Sequence, residues 1–400
     1  MTSRPRLLGL LLTSAALLAG CSSMSWMTDW FSGSSKEEPP AELVEFTPTI
    51  EVRTLWQEDV GAGRDKQLVN LAVEVRDGRV LAADRDGLVE ALDAATGKTL
   101  WKVETKLPLS AGPGAGDEVV VLGTSDGELV GLDPASGAEI WRQRASSEVL
   151  AVPRVWGGTV IARSIDGTLM ALEADSGERR WVYQLPVPTL TLRGSSAPVI
   201  DSGLVIGGFA SGKLAALDID SGRLVWETSV TAPSGRSELE RMVDIDADPV
   251  LYDGVLYVGT YQGDLAAVGE ATGGVLWRRD LSCYAGLSVD WRSVYVTDSN
   301  DVVWAIDPRN GAAVWKQDRM QRRRLSAPAV VDDYLVVGDY EGYVHWLSKD
   351  DGEFVARTRV GSAPISTKPR VVDEVVYVYG DAGNLAALTV GGASEAPESQ

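Results

Sequence analysis

The side chains best suited to act on another molecule fall in two stretches that interrupt an otherwise repetitive sequence. The first, "PTLTLRG", carries Leu190, Leu192 and Arg193. The second, "TAPSGRSELERMVDIDADP", carries Glu238, Glu240, Arg241, Asp244 and Asp246. Apolar side chains beside an arginine on a loop suit a protein-binding anchor, because such groups carry much of the energy at interfaces. Leu190 and Leu192 have a second use open to them, packing inward on the strand that follows. Asp244 and Asp246 could equally pair with Arg193 or Arg241 and shape the loop. Catalytic chemistry is harder to assemble. There is no C-x-x-C, H-E-x-x-H or Walker-type glycine loop. The lone His345 cannot seed a histidine-rich metal site, and it reads as structural beside Trp346. Cys21 and Cys283 are the only cysteines, so no disulfide framework exists, and Cys283 reads as a small buried residue on an inner strand. The chain is expected to be no enzyme and to need no metal or cofactor.

Charge narrows the partners. A formal charge of −20 argues against nucleic acid, whose phosphates require a basic footprint. The one strong basic run is "DRMQRRRLSAP", with Arg319, Arg322, Arg323 and Arg324. It suits a solvated loop, or contact with lipid headgroups or an acidic partner.

The elements that must position these residues are repeats. "DGLVEALDAATGKTLW" ends at Trp101, "DGELVGLDPASGAEIW" at Trp141 and "DGTLMALEADSGERRW" at Trp181. Further copies end at Trp226, Trp277 and Trp315, a seventh has Ala356 in the tryptophan slot, and an eighth, "AGNLAALTV", stops short. In every complete copy a second glycine follows the first position by 10 residues and the terminal residue follows by 14. Alternating apolar residues bounded by Asp-Gly mark a hairpin. In "D-x-x-T/S-G" the aspartate bonds its own backbone and the glycine supplies positive φ. With the apolar strand before each copy, this makes four antiparallel strands at a period near 40, a propeller blade. An orphan strand at the start, "VRTLWQED" with Trp56, supplies what the last copy lacks. The fold predicted is all-β: an eight-bladed β-propeller of four-stranded blades, closed by that strand. The glycine spacing widens from 40 to 45 and then 51 residues, so the two interrupting stretches lie side by side on one face.

The N-terminus has a different logic. Arg4 and Arg6 precede an apolar stretch from Leu7 to Leu18, too short for a membrane span of roughly twenty residues. It ends in Leu-Ala-Gly-Cys21, which resembles a bacterial lipobox, the cysteine being where the lipid is attached. The expected organisation is a signal peptide over 1–20, a lipid-anchored flexible tether over 21–48, the propeller over 49–390 and a disordered tail over 391–400. Ser22 after the cysteine points to the outer membrane.

The pattern A-x-D-x-x-T/S-G-x-x-x-W over residues 50 to 390 resembles the quinoprotein propeller family. With the lipobox and "PTLTLRGSSAP", the chain is more specifically similar to the lipoprotein propellers of the outer-membrane β-barrel assembly machine. That resemblance implies a non-enzymatic scaffold on the periplasmic face of the outer membrane, one that assists folding and insertion of nascent barrel proteins. It further implies that Leu190, Leu192, Arg193, Asp244 and Asp246 bind a BamA-like barrel assembly protein through its periplasmic domains. The rival within the family is a quinone- and calcium-dependent dehydrogenase. The vicinal cysteine pair common in such enzymes is missing, and the carboxylates Asp93, Asp133, Glu173, Asp218 and Asp307 occupy turn slots. A periplasmic ligand-binding propeller is the third reading.

Overall fold

The computed structural model describes residues 38–391 apart from 65–66, 193–195, 233–235 and 238. The signal peptide, Cys21, most of the tether and all but the first residue of the tail lie outside these residues. Eight antiparallel sheets form an eight-bladed propeller. In sequence order the blades span residues 74–104, 109–144, 154–184, 199–229, 250–280, 286–317, 329–359 and 370–390. The eighth blade is completed by Val52–Asp59, which pairs antiparallel with Asn384–Val390 and joins the two ends of the chain. Blade 2 departs from the four-strand plan. Asn70–Leu71 adds to its inner strand in parallel, making five strands.

Each turn forms as its residue types dictate. Asp133 Oδ1 accepts hydrogen bonds from the Ser136 amide at 2.7 Å and its hydroxyl at 2.6 Å. Gly137 then takes φ +72°, where a side chain would be strained. The same glycine has a second duty. A Cβ there would sit 2.5 Å from the ring of Trp101, which lies flat against it from the preceding blade.

That contact seals the ring and repeats around it. Trp56, Trp101, Trp141, Trp181, Trp226, Trp277 and Trp315 each donate an indole N–H to a turn carbonyl of the next blade. The acceptors are Ala94, Pro134, Ala174, Ile219, Glu270, Pro308 and Lys349, at 2.8 to 3.0 Å. The indoles thus bury apolar area with their one polar atom satisfied. Ala356 breaks the series for a topological reason. Blade 8 receives its outer strand from the N-terminus, so it has no turn for a tryptophan to dock on.

The chain's own N-terminal segment covers that junction instead. Ile50 and Val52 join the core around Ala356, and Val44 and Phe46 pack beside Phe354. Phe46 stacks on Phe354 at 5.4 Å, and Arg357 Nη2 donates to the Val44 carbonyl at 2.9 Å. Residues 41–46, which the sequence reading assigns to the tether, thus lie against blade 7. Val44 and Phe46 supply apolar area for docking, and the Ala41 amide bonds Gln321 O at 2.9 Å.

Candidate functional site: two joined loops beside the axial channel

The two long connections, residues 185–198 between blades 3 and 4 and residues 230–249 between blades 4 and 5, meet on one face. Asp244 Oδ2 accepts the Leu192 amide at 2.5 Å, which ties one loop to the other. The junction continues inward. Ser196 Oγ donates to Ile245 O at 2.9 Å, and the Ala197 amide donates to Asp248 Oδ1 at 2.7 Å. Beneath lies Arg163, buried over the Phe209 ring, its Nη1 donating to the carbonyl and the hydroxyl of Ser196 at 3.1 Å.

These charges sit in a poorly solvated place. Asp244 is 2% exposed, and among the described residues its Oδ1 has no hydrogen-bond partner; nor has Asp246 Oδ2. Burial raises the Asp244 carboxyl to about 6 against the opposing pull of the Leu192 amide and Arg163. Burial and the neighbouring Asp244 raise Asp246 to about 7. The Arg163 guanidinium is lowered to about 10 by desolvation, partly offset by Asp246, Asp244 and Asp248. A buried carboxylate with an unmet lone pair is costly, so these groups are positioned at the expense of stability.

The sequence-derived residues divide accordingly. Leu190 stands out at 42% exposed, while Leu192 is half-buried at the joint. Asp244 joins the loops through the Leu192 amide, a partner the sequence reading, which weighed Arg193 and Arg241, did not name. Arg193 and Glu238 lie outside the described residues. Glu240 accepts the amides of Arg236 and Ser237 and so caps its own turn. Sequence reasoning missed Leu239, 60% exposed on the second loop, and Arg163 beneath both. Arg163 had a signal: it is the one charge in a slot held by Ala83, Gly123, Gly208, Gly259 and Gly338 in five other copies and by Thr297 and Tyr379 in the remaining two.

Other singled-out residues serve the frame. Arg323 of the basic run is buried, with its guanidinium on Asp339 at 2.7 and 2.9 Å, against Glu341, and on Ala41 O at 2.9 Å. Arg319 reaches Glu353. The center of the run therefore clamps blade 7 and the N-terminal segment, while Arg322 and Arg324 are exposed. His345 is buried between Asp339, 2.9 Å from Nε2, and Arg357, whose Nε donates to Nδ1 at 3.2 Å. Cys283 is buried just before the inner strand Gly286–Val289 rather than on it, and its thiol is raised to about 12 by desolvation.

The loops border an axial cavity of about 780 Å³, lined among others by Asp246, Asp248, Arg154, Lys368 and Arg370. Arg154 pairs with Asp248 at 3.2 Å, Arg370 with Glu74 at 3.1 Å, and Lys368 Nζ donates to Leu287 O at 2.8 Å. Calcium takes six to eight oxygens. Here the axial carboxylates Asp246 and Asp248 face Arg163, Arg154 and Lys368. The protein's own cations occupy the electrostatic place a metal would take, so this donor set does not fit a calcium–quinone center.

Eight blades on a four-strand plan, sealed at seven of their junctions by tryptophan and closed by the N-terminal strand, define a quinoprotein-type propeller. A family model described as "Outer membrane protein assembly factor BamB" matches residues 85–317 and 302–394, and the chain belongs to that family. It is 48% identical over 377 residues to the assembly factor BamB of Alkalilimnicola ehrlichii, covering 94% of this chain and 95% of that protein. To the BamB of Pseudomonas aeruginosa it is 47% identical, with 95% and 98% covered. The crystal structure of BamB from Moraxella catarrhalis superposes with a TM-score of 0.78 at 27% identity, covering 85% of this chain and all of that one. A quinohemoprotein alcohol dehydrogenase from Comamonas testosteroni, at 14% identity and a TM-score of 0.65, shares the fold alone.

Proposed function

We propose that the protein is a non-enzymatic assembly factor of the outer-membrane β-barrel assembly complex, held at the periplasmic face by lipid on Cys21. It docks through Leu190, Leu192 and Arg193, on loops that Asp244 and Asp246 hold in shape, onto the periplasmic domains of a BamA-like partner, and assists folding and insertion of nascent barrel proteins. The observation that carries the docking reading is the Asp244–Leu192 bond. It fixes two loops from neighbouring blades as one body and holds Leu190 out to solvent. Loops on a rigid scaffold are where binding is commonly carried, and pre-ordering lowers the cost of association. The family relationship supplies the biological setting.

The test is co-purification of the barrel subunit with this chain carrying Leu190→Asp or Arg193→Glu. Association should fall by at least tenfold while the thermal midpoint stays within a degree or two. Undiminished association with both variants would remove the loop pair from the interface.

A further inference from the structure

We propose that the outer rim is a second binding surface, on which the apolar bulge of each outer strand receives an extended polypeptide segment of alternating apolar and polar residues. The outer strand of every blade is bulged at the residue preceding the tryptophan slot, where two residues oppose one on the neighbouring strand. In six blades that bulge residue is aliphatic and faces water: Leu55, Leu100, Ile140, Val225, Leu276 and Val314 are 44 to 61% exposed. Arg180 takes the position in blade 3. A single exposed aliphatic residue is ordinary, but the same one repeated on six outer edges is a patterned surface.

Blade 7 displays what such an edge receives. There the bulge residue is Val355, and the chain's own segment lies on it. The Thr49 amide donates to Val355 O at 2.9 Å and the Ile50 amide to the same oxygen at 3.4 Å. Phe46 stacks on Phe354 and Ile50 packs into the adjoining core. Val355 is consequently only half-exposed, unlike its six counterparts. The occupant is extended, makes a main-chain bond at the bulge, and presents apolar groups at Val44, Phe46 and Ile50. Six of the remaining edges present an exposed aliphatic group at the same bulge position.

Bulges prevent a long ladder from forming, so each contact is short and weak. Several equivalent contacts around one ring multiply binding of a long chain without gripping any one stretch. Strands of transmembrane barrels alternate apolar and polar residues, and that is the kind of unfolded segment that fits. The identity of the occupant rests on the assembly-factor reading; the rim geometry does not.

The probe is a fluorescent synthetic peptide with the sequence of residues 42–51, titrated against the isolated full-length protein. Saturable binding is expected, weakened at least fivefold by Leu100→Lys, Ile140→Lys, Leu276→Lys and Val314→Lys combined, with an unchanged far-ultraviolet spectrum. A photoreactive side chain placed singly at 100, 140, 276 or 314 should cross-link the peptide, and the Phe46→Asp version of the peptide should cross-link far less. These single variants keep the test open if the fourfold one misfolds. No saturable binding, or no cross-link from any of these four positions, overturns the rim proposal. The docking test above uses a different partner and different residues, so either can fail alone.

Discussion

The rim and the loop pair of this propeller are built on opposite terms. At the rim each indole fills a slot made by a glycine in the next blade and satisfies its N–H, so apolar burial and hydrogen bonding act together. In the loop pair Asp244 and Asp246 are held close to Arg163, each with a carboxylate oxygen that has no hydrogen-bond partner among the described residues. The rim keeps the ring shut; the loops hold a shape that stability alone would not select. Binding surfaces commonly carry this kind of tension, because the groups are arranged for a partner.

The largest effect expected tests whether the rim needs its N-terminal closure. Removing residues 38–59 leaves the outer edge of Asn384–Val390 without its partner strand and the slot at Gly97 empty. Cooperative thermal unfolding should be lost, and retention of a sharp transition would show that the six remaining tryptophan-sealed junctions suffice. Next comes Trp141→Ala, which vacates a buried slot and the bond to Ala174 O. A cost of about 3–5 kcal/mol is expected in urea unfolding. Ala356→Trp should also destabilise, by about 1–3 kcal/mol, because no turn in blade 8 receives the indole and Ile50 already packs there. A stabilised variant would refute the topological account of Ala356.

The smallest effect separates the two regions by pH. Asp244 and Asp246 bind protons more tightly in the folded protein than in the unfolded chain. Their favourable share is complete below about pH 4 and declines as pH rises through 6 and 7. Asp244→Asn with Asp246→Asn removes that decline. The double variant should therefore gain steadily on the native protein as pH rises from 4.5 to 7.5. The cost of Trp141→Ala should be the same at both pH values, since no titrating group is in its slot. An equal pH response in the two regions would erase the distinction.

Much of the molecule was legible beforehand where the physics is local. Asp133, Ser136 and Gly137 fold their turn by their own hydrogen bonds and backbone preference. The spacing from glycine to tryptophan then fixed the blade, the blade count and the closing strand. What was illegible depended on approach in space. The Asp244–Leu192 bond links residues 52 positions apart. The exposure of Leu190 against the half-burial of Leu192 follows from that bond. Arg163 carried a hint, a charge in an otherwise uncharged slot, but nothing in the chain's order showed which carboxylates it would face.

By itself the sequence determined the repeating unit, its turns and its closure, because each rests on interactions within a few residues or on a period repeated many times. Tertiary structure alone decided that the segment after residue 40 lies against blade 7, that Arg323 clamps it, and that two buried carboxylates share one arginine beneath the loops. Those outcomes depend on which surfaces meet when the ring closes, and on how much water that meeting leaves around a charge.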